Sequence, residues 1–548
     1  MRKSILLASL AIVSASPAIA QTCPSHSDDA RKSLGVGTSL SWGYPYTEAN
    51  VSADLQYLGV QYIRDQVSNV PAVADELVQL GQQGIKIDYL QGSTPAGEPD
   101  FVNDFYWMNY IIARTTPTTI VSMEGLNEYN ISHYTFNGVS SYGNLTWGRD
   151  VNWTTLNALA SNPATARISY IAASIAGYNT IPSMAGTADQ GNWHIYAGDG
   201  FQLSDNIRDA ITKGQASVEG PMQITETGDA DVSTDSWGVA GDSYTQAVII
   251  MNGILESLAD GSNGTGEMGG WGVPRIYLHD LIDNGTTTLN GDHFGLFTYK
   301  NSAKPVAVAI HNWLSIMKDS GANAGSFLPT ALSYYVAQLP AGAFYKVFQK
   351  SNGAYDIVIW NGEATVWANG AETYVPTVQV LVGFANAYQS IKVFDPLTSD
   401  QPINVIPTTN QIAVGLSKDP IVVEIANPVT PPTSTVWCPT DAIDFWVNGD
   451  SWGTIQPQLQ IKIDGVLQGN YTITADRRSG QSQHIYVLGS WGTGQHTITA
   501  GFINDAWGGS DTTDVNANIL AVSYDGQQTR NKNVFMGWVS TALFQTVN

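Results

Sequence analysis

Three short polar segments interrupt apolar, strand-like runs, and they carry the side chains with the plainest chemistry in the chain. They are Ser122-Met-Glu-Gly-Leu-Asn127-Glu128-Tyr129, Trp193-His194-Ile-Tyr196 and Gln223-Ile-Thr-Glu226-Thr-Gly228. Two carboxylates from opposite walls of one bowl, here Glu128 and Glu226, suit glycosidic bond cleavage: one protonates the leaving oxygen and the other attacks the anomeric carbon. Asn127, directly before the acid, can bind a sugar hydroxyl, while His194 and Tyr196 can fix the orientation and charge of the nucleophile. Glu124 competes with Glu128, because period-two alternation puts both on one side of a strand. Lying deeper, Glu124 reads as a buried structural carboxylate that needs a cation or donors. His279-Asp280 reads either as a substrate contact or as a hydrogen-bonded pair. Trp42, Tyr44, Trp193, Trp237 and Trp271 read singly as packing residues and collectively as lining for a cleft.

Elements must bring these segments together. Strand-like runs occur at Leu34–Gly37, Tyr62–Val67, Ile85–Leu90, Thr119–Leu126, Ile181–Ala185, Asn192–Tyr196, Met222–Thr225 and Arg275–Leu281. Helix-like stretches lie between most of them, at Val70–Leu80, Ala164–Ala176, Asn206–Lys213 and Tyr244–Leu258, and Lys304-Pro305 opens a last one. That alternation predicts a (β/α)8 TIM barrel over residues 31–323, with the polar segments on its C-terminal face. A doubly wound sheet is the alternative, but no glycine fingerprint follows the first strand. After residue 323 the helical period stops. Phe344–Phe348, Ser351-Asn-Gly353 and Tyr355–Trp360 form a hairpin signal, and residues 324–426 read as an antiparallel β-sandwich side domain. A Pro/Thr-rich linker at 427–435 then leads to a second all-β, jelly-roll-like unit at 436–548.

The chain has 548 residues, 43% hydrophobic and 13% charged, with a net charge of −23. Such a chain repels phosphate backbones and anionic lipid, so nucleic acid is no expected partner. Arg2 and Lys3, the apolar run Ile5–Val13 and Ala18-Ile-Ala20 make residues 1–20 a signal peptide, implying secretion after cleavage near Ala20. No other run approaches membrane-spanning length. A monomer is expected. Cys23 and Cys438 either pair in an oxidising compartment or stay as two free thiols, the first in a loose tail.

Asn127-Glu128 after a fourth strand, His194-Ile-Tyr196 after a sixth and Glu226 after a seventh resemble clan A retaining glycoside hydrolases. Arg64 falls where that clan keeps an arginine beside its nucleophile, and Phe294-Gly-Leu-Phe297 resembles its run from strand eight into the last helix. The barrel with a β-sandwich is similar to families 39, 30 and 79, over about residues 34–428. The resemblance implies Glu128 as acid/base, Glu226 as nucleophile and carboxyls roughly 5–5.5 Å apart. It implies Asn127, Arg64, His194 and Tyr196 around the substrate and no cofactor for catalysis, while Trp42, Trp193, Trp271 and His279 are expected there from their own reading as cleft lining and contact. Arg64 and His194 are expected to support Glu226, so that loss of Arg64 lowers turnover and spares stability. In the last unit, the run from Asn504-Asp505 to Asn518 clusters carboxylates and amides around glycines, which suits Ca2+. It resembles calcium-dependent xylan-binding modules of carbohydrate-binding families 36 and 60, whose carry-over points to Asp505, Asp514 and Asn516 beside Trp507; the alternative is an Asn/Asp-rich turn without an ion. The implied function is an endo-acting β-glycanase on a polysaccharide, the alternatives being an exo-acting β-glycosidase and a non-catalytic polysaccharide-binding protein.

Overall fold

The computed structural model describes residues 20–545 apart from 69, 178–181, 199–200, 219–220, 233–240, 259–272, 274, 288, 431–434, 440, 492–494, 525–526 and 530–533. Most of the signal peptide, Trp237, Trp271 and the middle of the linker therefore lie outside the described residues.

Eight parallel strands form the barrel: β1 (Leu34–Gly37), β2 (Tyr62–Asp65), β3 (Lys86–Leu90), β4 (Ile120–Glu124), β5 (Ser169–Ile171), β6 (Gly191–Asn192, resumed at Ile195–Tyr196), β7 (Met222–Gly228) and β8 (Ile276–Leu278). They pair in barrel order from β6 through β7, β8, β1, β2, β3 and β4 to β5, and a bridge from Ile171 to Gln190 closes the circle. Among the described residues, seven helices surround them: α1 (Glu48–Leu58), α2 (Pro71–Gln82), α3 (Phe101–Arg114), α4 (Gly148–Ser161), α5 (Ser204–Val218), α6 (Ser243–Leu258) and α7 (Pro305–Ile316). Local chemistry sets their starts. Proline stands at the first position of α2 and α7, and the Thr47 and Asp100 side chains accept the Asn50 and Asn103 amides at the heads of α1 and α3. Barrel strands and helices bury one large apolar core.

The fifth strand departs from expectation. Residues 164–176 were predicted helical, yet 169–171 are β5, while 182–185 hold no strand. A parallel strand buried on both faces shows no alternation, and its alanine-rich flanks Ala172 and Ala173 imitate a helix. The actual helix, α4, lies upstream, and among the described residues none connects β5 to β6.

The side domain is one strongly bent antiparallel sheet. Its strands are β9 (Leu332–Ala337), β10 (Ala343–Gln349), β11 (Tyr355–Asn361), β12 (Val378–Phe394), β13 (Asn404–Leu416) and β14 (Ile421–Pro428). The register of β12 shifts between Gly383 and Tyr388, so β12 turns and the sheet folds over its own core. Ala20–Thr22 pairs with β9 and Ser25–His26 with β10, which stitches the N-terminal residues into this sheet. Cys23 and Cys438 form a disulfide, with Cα atoms 5.5 Å apart. Beside it, 436–438 pairs with 329–331, so the first residues assigned to the terminal unit lie against the side domain.

The terminal unit packs two antiparallel sheets. One holds β15 (Asp441–Asp450), β18 (Gln483–Gly489), β20 (Ala506–Trp507) and β21 (Asp514–Tyr524); the other holds β16 (Gln458–Ile463), β17 (Val466–Thr472), β19 (Thr497–Phe502) and β22 (Ser540–Gln545). Alternating Leu459, Ile461 and Ile463 face Ile443, Phe445 and Val447 in the shared core. Among the described residues no helix is long and apolar enough to cross a membrane.

Candidate active site

The site forms where β2, β4, β6 and β7 end. Gly125 lets the chain leave β4 close to β5: a Cβ there would lie 2.6 Å from both the Ala173 nitrogen and the Tyr170 hydroxyl oxygen. Glu128 then adopts φ +43°, a left-handed conformation that costs a glutamate roughly 1–3 kcal/mol. The segment just after β5 holds it there. The Glu128 amide donates to Ser174 Oγ at 2.9 Å, and the Tyr129 amide donates to the Ser174 carbonyl at 3.1 Å. Tyr129 is buried, stacks on Trp147 and donates its hydroxyl to the Leu145 carbonyl, anchoring the loop behind the carboxylate.

Glu226 projects from β7. Arg64 Nη1 donates to its Oε2 at 3.1 Å, and the Tyr196 hydroxyl donates to its Oε1. His194 Nδ1 lies 3.0 Å from Glu128 Oε1 and 3.6 Å from Glu226 Oε2, bridging the two acids. A carboxylate oxygen from each glutamate and a His194 ring nitrogen lie within 4.8 Å of one another. That spacing also suits a cation, but here Arg64 and His194 themselves supply positive charge to the pair. Burial alone would raise the Glu226 pKa; the charges of His194, His279 and Arg64 and the Tyr196 hydroxyl outweigh it and hold the carboxyl well below the usual range.

Glu124 sits beneath, fully buried. Arg64 grips it with Nε at 2.5 Å and Nη2 at 3.0 Å, while Asn192 Nδ2 and Thr225 Oγ1 donate to it at 3.1 and 2.9 Å. Arg64 Nη2 also donates to Asn127 Oδ1 at 2.6 Å, leaving the Asn127 amide nitrogen to donate to a ligand. Arg64 is thus committed to Glu124 as well as to Glu226, and it is the cation that the buried Glu124 needs. Asn192, Thr225 and Ser174 went unassigned in the sequence reading; the only signal for Thr225 was its place directly before Glu226.

The other expected residues separate. His279 borders the pocket beside Tyr196 and Phe294, at centroid distances of 6.4 and 5.5 Å. Trp42 stands exposed at the rim. Trp193 is buried in the barrel–helix core, with Lys213 over its ring, and does not line the cleft. Alternation explains this: Asn192 and His194 turn inward to Glu124 and Glu128, so Trp193 turns outward. In the terminal unit Asp514 and Asn516 meet Asp450, an unforeseen third member. Asn516 Nδ2 donates to Asp514 Oδ2 at 2.9 Å and to Asp450 Oδ2 at 3.2 Å, while the buried Asn516 Oδ1 accepts no hydrogen bond. Asp505 is exposed and precedes β20, which pairs Trp507 with Asp514. The oxygen set and its orphaned buried oxygen suit a hard cation, and Arg477 and Arg478, at 2.6 and 3.3 Å from Asp450, already supply positive charge at the same place.

This network makes stability pH-dependent. Burial would lower the His194 pKa, but Glu226's charge and hydrogen bonds to Glu124 and Glu128 raise it from 6.5 to about 9. Stabilisation from a raised folded-state pKa is complete below pH 6.5 and lost as pH rises through about 9. Burial would raise Glu124, but Arg64's charge and hydrogen bonds from His194 and Arg64 lower it from 4.5 to about 2. Its contribution is complete above pH 4.5 and lost as pH falls through about 2. The melting temperature is therefore expected to be highest between pH 4.5 and 6.5. His194→Gln should flatten the alkaline decline; an equally steep decline in that variant would assign it to other groups.

Comparison with known proteins bears on both halves. Residues 442–536 match the CBM60 family model, described as a Ca-dependent carbohydrate-binding module, xylan-binding. The terminal unit is similar to that family. A glucosidase from Croceicoccus marinus matches 75% of this chain and 98% of its own, with 9% identity and a TM-score of 0.50. A monomeric beta-xylosidase from Caulobacter crescentus matches 76% of this chain and 100% of its own, at 14% identity and TM-score 0.49. A family 39 glycoside hydrolase from Bacteroides cellulosilyticus matches 73% of this chain and 82% of its own, at 14% identity and TM-score 0.48. Likeness at such identity concerns the fold alone. No curated protein matches the chain.

Proposed function

We propose that the barrel is a retaining glycoside hydrolase acting within β-linked chains of a polysaccharide, and that the terminal unit holds the enzyme to its substrate. One observation carries the reading: Glu128 and Glu226 approach within 4.8 Å while Arg64, His194 and Tyr196 keep Glu226 ionised. Retaining enzymes need carboxyls about 5–5.5 Å apart, whereas inverting ones leave about 6.5–9.5 Å for a water. Glu128 protonates the glycosidic oxygen as the Glu226 carboxylate attacks the anomeric carbon, forming a glycosyl-enzyme ester. Glu128, now a carboxylate, takes a proton from water, which cleaves the ester and regenerates Glu226. The free amide hydrogens of Asn127 donate to the sugar 2-hydroxyl, and Tyr196 holds Glu226 in line for attack.

Asp514, Asn516, Asp450 and Asp505 would hold Ca2+, which supplies a hard positive centre for sugar hydroxyls. The similarity to a xylan-binding module favours xylan as the polysaccharide. A pre-sequence, a disulfide and a polymeric substrate support export and work outside the cytoplasm. Reducing-sugar release from a panel of plant polysaccharides tests the whole reading. Oligomeric products support internal cleavage, monomer alone assigns an exo-acting glycosidase, and no release favours a binding protein. Excess chelator is expected to release the full-length protein from insoluble xylan while hydrolysis of a soluble aryl glycoside continues, and Asp505→Ala or Asp514→Ala should weaken xylan binding likewise. Xylan binding unchanged in chelator would contradict the calcium assignment.

A further inference from the structure

Outside the carboxylate pair, the loops after β1 and β8 hold three aromatic rings at the barrel rim. Trp42 is 62% exposed and Tyr44 60% exposed, and the Tyr44 ring meets Tyr299 edge-on at 5.4 Å. Packing does not account for two large rings left in water, since burying such a side chain is worth about 1.5–3 kcal/mol. Local structure holds them out. Leu40–Trp42 is a single tight turn, and Gly43 follows at φ +72°, in the left-handed region that favours glycine. Tyr46 anchors the loop from below. It is buried, its hydroxyl donates to Asp280 Oδ1 at 2.6 Å and accepts the Ile282 amide at 3.0 Å, and its ring supports Trp42 edge-on at 6.4 Å. Asp280 directly follows His279, whose charge acts on Glu226. The rings are therefore fixed to the wall of the reaction centre itself.

Resting on the glycosidase reading above, we propose that Trp42, Tyr44 and Tyr299 form a distal sugar subsite. A pyranose of the bound chain, beyond the one between Glu128 and Glu226, lays its C–H face on an exposed ring, Trp42 or Tyr44, with Tyr299 bracing Tyr44 edge-on at 84°, and keeps its hydroxyls in water. Such a ligand suits a platform that is apolar on its face and wet at its edge. Its consequence is a preference for longer chains, set by the rim and not by the carboxylates.

The test compares the full-length protein with Trp42→Ala, Tyr44→Ala and Tyr44→Phe, using xylohexaose and an aryl β-xyloside. The readout is the ratio of kcat/KM on the hexasaccharide to that on the aryl glycoside. Each alanine variant is expected to lower this ratio about tenfold, equivalent to about 1.4 kcal/mol, while Tyr44→Phe retains it. A ratio unchanged in both alanine variants overturns the subsite. Failure of the glycosidase reading is separate, because the wild type would then cleave neither substrate. In that case calorimetric binding of xylohexaose to Glu226→Gln decides, with the terminal module contributing equally to each comparison. About tenfold weaker binding with Tyr44→Ala added supports the subsite; equal binding overturns it.

Discussion

Glu226→Ala is expected to lower kcat by about four orders of magnitude or more and to leave the protein folded. The size follows from what the side chain holds. Both oxygens of Glu226 are engaged, Oε2 by Arg64 at 3.1 Å and Oε1 by the Tyr196 hydroxyl, so the carboxylate is aimed and ionised before substrate arrives. No other described carboxylate is placed to replace it: Glu124 is fully buried behind Arg64 and Glu128 is assigned the proton transfers. Folding is spared because Arg64 keeps its bidentate partner Glu124. Azide, entering the space left by the carboxylate, should yield a glycosyl azide of inverted configuration. Glu128→Ala should differ in kind, sparing substrates whose leaving groups need no proton. Activity above about one per cent in Glu226→Ala would remove Glu226 from the nucleophile's role.

Arg64→Ala is expected to damage stability and turnover together. Its removal breaks a buried ion pair and leaves Glu124 with Asn192, Thr225 and the more distant His194 ring at 3.5 Å, a loss that costs about 3–5 kcal/mol. The double variant Arg64→Ala/Glu124→Gln separates the two roles. Removing the orphaned charge should restore most of the melting temperature, whereas turnover should stay low because Glu226 and Asn127 have still lost the guanidinium. Restoration of turnover along with stability would make Arg64 a structural partner of Glu124 alone. The sequence reading expected a purely functional loss. It located Arg64 correctly at the end of β2, but Glu124 is sixty positions away, and nothing in local spacing reveals that one guanidinium serves two carboxylates.

The same limit explains what was legible elsewhere. Strands with polar residues at their ends, such as β2, β4 and β7, announce themselves because an apolar run stops at chemistry. β5 does not, since Tyr170 and Ile171 are both buried, Ala172 and Ala173 follow, and the run carries no period. Trp193 fits its single reading as a packing residue and not the collective one as cleft lining, because strand alternation sends it to the face opposite His194. Asp450 was invisible because it reaches Asn516 across two strands, while Asp514 and Asn516 share one turn-rich segment. The N-terminal strands were likewise hidden, since Ala20–Thr22 and Ser25–His26 acquire their partners only from β9 and β10, more than three hundred positions on. Residue type at an element's end was readable; long-range partnership was not.

The carboxylate pair makes one claim above all others, that cleavage proceeds through a Glu226 ester with net retention. Proton NMR of the first sugar released from an aryl glycoside, recorded before mutarotation, tests it directly. The initial anomer is expected to have the configuration of the substrate. Appearance of the opposite anomer first would contradict it, because a single displacement by water would then have bypassed Glu226.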